Sequence, residues 1–111
     1  MSERNAKLLI GDILDSAQKI LDYTVAMSFE EFTSENKTVD AVIRNFEIIG
    51  EAANRLPADF KNEVKEIDWQ RIKGFRNRIV HEYIGIDFSI VWQIKETFLP
   101  ALIVQLKQLP K

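Results

Sequence analysis

The chain contains 111 residues, of which 46% are hydrophobic and 29% are charged, and its formal net charge is −2. This balance is typical of a single soluble globular domain over residues 1–111, and it excludes an intrinsically disordered chain. Cysteine is absent and histidine occurs once, which excludes a disulfide framework and argues against a metal site. We also expect no cofactor.

The amino-terminal stretch "MSERNAKLLIGDILD" is charged on both sides of a short apolar run, unlike a signal peptide. No apolar run approaches the roughly 20 residues that a membrane span needs. We therefore expect a cytoplasmic protein that does not enter a membrane.

Apolar residues recur with helical spacing along the chain, and no alternating pattern of useful length predicts a strand. One apolar stripe predicts a helix over 4–23, and Ser28 with Glu31 has the spacing of a capping box that opens a short helix or turn. A second stripe predicts a helix over 38–56, which Pro57 ends, and a short helical piece follows it.

The second half of the chain adds two longer helices. Asp68 is placed to cap a helix over 69–83, and Asp87 or Ser89 then opens the last helix. On the first of these helices we expect Ile72, Phe75 and Ile79 to face the bundle. Pro100 predicts a kink in that helix, because proline lacks an N–H and crowds the preceding turn. These elements predict an all-α fold, an antiparallel bundle of four to five helices.

The last helix is apolar on more than one face. Beside its main stripe it carries Trp92, Leu99, Ile103 and Val104. A symmetric homodimer would cover a second apolar face, and packing within the chain is the alternative. We expect a homodimer.

Basic residues are concentrated between Gln70 and Arg78, where Arg71, Lys73, Arg76 and Arg78 occur without an acidic residue. A local patch of this kind attracts phosphates even in a slightly acidic protein. We therefore take Arg71, Lys73 and Arg78 as candidate RNA-binding residues. A solvated helix face is the alternative.

The stretch "RNRIVHEY" begins at Arg76 and contains the single histidine, His81. On a helix Asn77 and His81 are neighbours at i and i+4, and Arg76 and Tyr83 nearly align, whereas Arg76 and His81 are about 140° apart. RNA cleavage without a metal needs a proton-transfer group and a cation for the phosphate oxygens, which histidine and arginine supply. The alternatives are a histidine that meets carbonyls at the helix end and an arginine paired with Glu51.

Glu47, Glu51 and Asn54 form a polar edge at i, i+4 and i+7 on the preceding long helix. If this edge faces the motif, Glu51 is placed to orient Arg76 or His81; a solvated edge is the alternative. The adjoining "GEAA" contains small residues that permit close helix contact.

The combination of R-x4-H with H-x-Y, from Arg76 to Tyr83, resembles the signature of the HEPN superfamily and specifically of its HepT-like branch. "IGEAANRLP" and then "DWQRIKGFRNRIVHEYIGID", which leads into the final helix, extend the likeness over essentially the whole chain. The resemblance implies an all-α bundle that dimerises and places two motif copies at a shared cleft.

The resemblance also implies a metal-independent endoribonuclease that acts as the toxin of a toxin–antitoxin pair. In this interpretation Arg76 and His81 are catalytic and Asn77 supports them. The partner is a minimal nucleotidyltransferase, which silences the toxin by transferring AMP from ATP to Tyr83. The alternative functions are a non-catalytic helical partner that binds substrate for a nucleotidyltransferase, and a purely structural helical dimer.

Overall fold

The computed structural model describes residues 3–81 and 87–109, and within them the side chains of residues 5–79 and 87–109. All regular secondary structure in these ranges is helical, which confirms the all-α prediction. No helix in this part of the chain is long and apolar enough to cross a membrane. The helices are α1 (Glu3–Tyr23), α2 (Phe29–Ser34), α3 (Asn36–Arg55), α4 (Ala58–Glu63), α5 (Trp69–His81), α6 (Phe88–Thr97) and α7 (Leu99–Lys107).

The long helices form one bundle around a shared core. Helix α3 packs between α1 and α5, α7 packs on α1, and α6 contacts both α2 and α7. The predicted long helices correspond to α1, α3, α5 and the pair α6 and α7, and the two predicted short pieces form α2 and α4. The most deeply buried side chains come from both halves of the chain and include members of each predicted apolar stripe: Ile13, Ile20, Phe32, Val42, Phe46, Ile49, Ile67, Ile72, Val91, Leu99 and Leu102.

Local capping contacts set where the shorter helices begin. The Ser28 hydroxyl accepts a hydrogen bond from the Glu31 N–H at 3.1 Å, and the Glu31 carboxylate accepts one from the Ser28 N–H at 3.0 Å. This is the expected capping box. At the start of α6 the Asp87 carboxylate accepts bonds from the Ser89 N–H at 2.9 Å and the Ser89 hydroxyl at 2.6 Å.

These two caps give a prediction for acid stability. Hydrogen bonds from Ser28 lower the pKa of Glu31, and hydrogen bonds from Ser89, with a smaller effect of Arg78, lower the pKa of Asp87. Because each carboxyl has a lower pKa in the folded protein than in the unfolded chain, its ionised form stabilises the fold. This stabilisation is fully present above the unfolded pKa, near pH 4, and is lost as the pH falls through the folded-state pKa. The combined variant Glu31→Gln, Asp87→Asn keeps both acceptors but cannot titrate. Urea unfolding should show it losing less stability than the parent between pH 5 and pH 3; an equal loss would contradict the assignment.

Ala26, in the turn between α1 and α2, has a φ of 62°. A left-handed conformation costs a residue with a Cβ about 1–2 kcal/mol, and glycine avoids this cost but loses more backbone entropy on folding. We expect Ala26→Gly to raise the free energy of unfolding by about 0.5–1 kcal/mol in urea titrations. The control Ala101→Gly, at an exposed position in α7, should instead lower it by about 1 kcal/mol. Destabilisation by both variants would show that the turn stores no strain.

The predicted last helix is divided at Phe98 into α6 and α7. Pro100 is near the start of α7, where its missing N–H is tolerated, and Phe98 keeps a helical backbone with φ −93° and ψ −44°. At the place where the sequence predicted a kink, α6 therefore ends and α7 begins.

Packing within the chain accounts for most of the second apolar face of α6 and α7. Leu99 is 0% exposed and Ile103 is 7% exposed, whereas Val104 remains 55% exposed. Trp92 is half-buried, and its ring centre lies 5.1 Å from that of Phe32. The apolar pattern of the last helix therefore does not require a dimer, and the homodimer stays a prediction.

Candidate functional site

Helix α5, which carries most of the motif, is anchored at its start. The Asp68 carboxylate accepts a hydrogen bond from the Arg71 N–H at 3.0 Å, as expected for the predicted cap. The Trp69 indole N–H donates to the Val64 carbonyl at 2.9 Å. Local contacts therefore hold the first turn of α5 to the connection before it.

The rotation of α5 about its axis is set by its buried stripe. Ile72, Phe75 and Ile79 are 0%, 6% and 3% exposed, which confirms their predicted position facing the bundle. The Phe75 ring packs edge-on against Phe46 of α3, with ring centres 5.2 Å apart, and against Phe98 at 6.0 Å. With this face buried, the polar residues between these positions take fixed directions around the helix.

Arg76 lies against α3 at Gly50. A Cβ added at Gly50 would overlap Cβ and Cγ of Arg76 and would lie 3.3 Å from Cδ. The Arg76 side chain is half-buried, and its Nε is buried without a hydrogen-bond partner among the described residues. Packing therefore holds the part of the Arg76 side chain nearest the backbone. The small residues of "GEAA" permit this close contact, as the sequence predicted.

Glu51 is exposed on α3. The described part of the chain contains no ion pair or hydrogen bond between Glu51 and Arg76. The pairing that would have made Arg76 an ordinary salt-bridge residue is therefore not formed here. An orienting role for Glu51 stays a prediction, and the contact that α3 makes with Arg76 occurs at the neighbouring Gly50.

The basic residues of α5 lie on two sides of the helix. Arg71 and Arg78, seven positions apart, share one side, whereas Lys73 and Arg76 are separated by only about 60° on the other. Arg71, Lys73 and Arg78 are exposed, and the Arg71 guanidinium carbon lies 5.0 Å from the centre of the Phe98 ring. The basic patch is thus divided between two sides of α5. A phosphate backbone that contacted all of these residues would have to wrap around the helix.

A shallow apolar cleft lies beside Arg78 between α3, α5 and α6. Its space is close to that of one water molecule, too small for a nucleotide. It is lined by Phe46, Phe75, Arg78, Ile79, Ile90, Val91 and Ile94. In the described residues no cluster of three or more carboxylate, imidazole or thiol groups is placed to hold a metal ion.

The remaining motif residues are described only in part. Asn77 is half-buried on α5, and His81 is the last residue of that helix, one turn after Asn77. The His81 side chain and the whole of Tyr83 lie outside the described residues. The structure therefore shows Arg76 and Asn77 on one rigid helix that continues to His81, and the contacts of His81 and Tyr83 remain predictions.

Comparison with known proteins identifies the family. A family model described as "Ribonuclease HepT-like" matches residues 13–109. A candidate RNase of Methanocaldococcus jannaschii is 35% identical over the whole chain and 92% of its own length. The "Probable ribonuclease HepT" of Thermococcus cleftensis is 35% identical over 98% of this chain and 99% of its own.

A candidate RNase of Caldanaerobacter subterraneus subsp. tengcongensis is 32% identical over 87% of both chains. No solved structure matches the chain. The family model covers the whole of α5 with Arg76 and His81, and the first of these relatives aligns with the whole chain. The chain belongs to the HepT-like ribonuclease family.

Proposed function

We propose that the protein is a metal-independent endoribonuclease in which Arg76 and His81 carry out RNA cleavage. The observation that carries the proposal is Arg76 itself, packed on α3 without a carboxylate partner among the described residues, in a chain of the HepT-like ribonuclease family. An arginine that only stabilised the fold would be expected to pair with an acidic neighbour. An arginine without such a partner keeps its charge for a phosphate.

The proposed reaction uses the 2′-OH of the RNA as nucleophile. A histidine takes the proton from the 2′-OH, whose oxygen attacks phosphorus, and the bond from phosphorus to the 5′-oxygen breaks as that oxygen gains a proton. Arg76 stabilises the negative charge that grows on the phosphate oxygens. The products are a 2′,3′-cyclic phosphate and a 5′-OH, and the reaction needs no water and no metal ion.

The single histidine of each chain favours a dimeric site. One imidazole does not easily serve as base and acid in one pass, so two copies of His81 facing one cleft would divide the two proton transfers. We therefore propose a homodimer with a shared cleft. Asn77 supplies a neutral hydrogen bond there, and Glu51 orients Arg76 or His81 from the neighbouring helix.

The exposed basic residues Arg71, Lys73 and Arg78 are proposed to bind the RNA backbone. Phosphate contacts of this kind fix the position of a nucleic acid without reading its sequence, and they weaken steeply as salt increases. Because these side chains lie on two sides of α5, we propose that RNA bends around the helix or that the two protomers share the backbone contacts.

We further propose that the protein is the toxin of a toxin–antitoxin pair in the cytoplasm, where RNA and ATP are available. The cognate antitoxin is a minimal nucleotidyltransferase that transfers AMP to the Tyr83 hydroxyl. The support is the position of Tyr83 two residues after His81 in the motif. AMP on this residue would add negative charge and bulk beside the cleavage site and would repel RNA phosphate.

Cleavage of matched RNA and DNA oligonucleotides tests the proposed reaction. We expect the purified protein to cut a labelled RNA in chelator, to leave 2′,3′-cyclic phosphate ends, and to leave the DNA of the same sequence intact. Cleavage of both strands would reject the 2′-OH as nucleophile. Binding of a nucleotidyltransferase without any RNA cleavage would favour a non-catalytic partner.

A further inference from the structure

We infer that Gly50 is a positioning residue for Arg76: the lack of a side chain at position 50 is what lets this arginine lie against α3 in its working position. The inference rests on the proposed function, because it concerns the cation of the cleavage site. Gly50 touches no reacting atom in this account and acts only through Arg76.

The contact cannot be relieved by a change of side-chain rotamer. A Cβ at position 50 would overlap Cβ of Arg76 as well as its Cγ. Since Cβ is attached directly to the backbone of α5, its position is set by the helix and does not depend on the rotamer. A methyl group at position 50 must therefore push α5 away from α3, turn α5 about its axis, or both.

The other helical glycines in the described residues differ from Gly50 in this respect. A Cβ at Gly11 in α1, or at Gly74 in α5, would meet no atom within 4 Å. Alanine is favoured over glycine in a helix by about 0.5–1 kcal/mol, so alanine should be accepted at the two open positions, whereas at Gly50 the overlap with Arg76 opposes it. Gly11 and Gly74 therefore provide matched controls.

Packing is also what holds the inner part of the Arg76 side chain. Its Nε is buried and has no hydrogen-bond partner among the described residues, so the contact with α3 is not reinforced by a polar one. A displaced α5 would therefore move the guanidinium without a hydrogen bond from the described residues to restore its position. Misplacement of a catalytic group by about 1 Å lowers rates by as much as about a hundredfold.

The first readout concerns Arg76 alone and requires no activity. In ¹⁵N spectra of the parent protein, the Arg76 Nε–H signal, assigned by its loss in Arg76→Lys, should exchange slowly with water and report a rigid side chain. Arg44, exposed on the same helix as Gly50, is the reference for a solvated arginine. Gly50→Ala should shift the Arg76 signal and speed its exchange, whereas Gly74→Ala and Gly11→Ala should leave it unchanged.

The second readout is the cleavage rate in chelator at saturating RNA. We expect Gly50→Ala to lower kcat roughly tenfold to a hundredfold with little change in KM, and both control variants to stay within about twofold of the parent. Adding Gly50→Ala to Arg76→Ala should cause no further loss, because the residue through which Gly50 acts is already gone. An equal further loss in that background would overturn the inference.

The two readouts separate this inference from the proposed function. If the parent cleaves RNA but Gly50→Ala changes neither the rate nor the Arg76 signal, Gly50 does not position Arg76. If the parent does not cleave RNA, the proposed function fails, and the spectra alone decide the contact. Should Gly50→Ala not fold, the parent spectrum still decides: an Arg76 Nε–H as mobile and exchangeable as that of Arg44 would overturn the inference.

Discussion

Replacing His81 with alanine is expected to reduce RNA cleavage by about 10²–10⁴-fold, the range lost when a general acid or base is removed. The fold should survive, because His81 is the last residue of α5 and an ideal helix places it about 160° around the axis from the buried Ile79. Cleavage rates in chelator, with circular dichroism and the melting temperature recorded for the same samples, measure both effects.

His81→Gln is the matched control for this prediction. Glutamine keeps a side chain that donates and accepts hydrogen bonds but cannot transfer protons at neutral pH, so it should be as inactive as alanine. Full activity in the glutamine variant would reduce the role of His81 to hydrogen bonding. If His81→Ala unfolded the protein while activity per folded molecule was kept, the residue would be structural.

Tyr83→Phe should make the protein insensitive to its nucleotidyltransferase. The substitution removes only the hydroxyl oxygen that would accept AMP and keeps the aromatic ring, so cleavage by the variant should stay within a few-fold of the parent. After incubation with the nucleotidyltransferase and ATP, the parent should gain the mass of AMP and lose activity, whereas the variant should show neither change. Intact mass spectrometry followed by the cleavage assay measures both.

Tyr23→Phe is the control for this experiment, because Tyr23 is the other tyrosine of the chain and is 43% exposed at the end of α1. This variant should still be modified and silenced. AMP added to Tyr83→Phe would place the acceptor at another residue, and failure to modify the parent would reject AMP transfer as the mode of silencing.

Local signals in the sequence predicted the helix starts well. Both caps depend on residues only two or three positions apart: Ser28 with Glu31, and Asp87 with Ser89. The local sequence therefore contains all the information needed to predict them. The spacing of Ile72, Phe75 and Ile79 likewise predicted the buried face of α5. Short-range periodicity and capping chemistry explain this success.

Packing between distant helices was less predictable. Lys95 is only 7% exposed, and its Nζ lies 3.4 Å from the centre of the Trp92 ring and 3.3 Å from the Glu96 carboxylate. An aromatic face and a carboxylate on α6 itself offset the cost of burying this charge, whereas the burial of Lys95 depends on how α6 packs against the rest of the bundle. The burial of Leu99 and Ile103 within one chain depends in the same way on tertiary packing, so the apolar pattern alone did not distinguish packing within the chain from a face covered by a partner.

In the candidate site, too, the local features were predictable and the contact between helices was not. The motif placed Arg76 and Asn77 on one helix, which the structure confirms up to His81. The neighbour of Arg76 on α3 depends on how α3 and α5 are rotated against each other, which no local pattern specifies. Polar chemistry drew attention to Glu51, whereas the contact that forms is made by Gly50, whose contribution is the space it leaves.

Cleavage of total RNA in chelator by the parent protein is the decisive test of the proposed ribonuclease. The sample must first have the intact mass of the bare sequence, because AMP on Tyr83 would silence it. We expect discrete RNA fragments under these conditions, and at least about a hundredfold less cleavage when Arg76→Ala or His81→Ala replaces the parent. Intact RNA after incubation with unmodified, folded parent protein would reject the proposed activity.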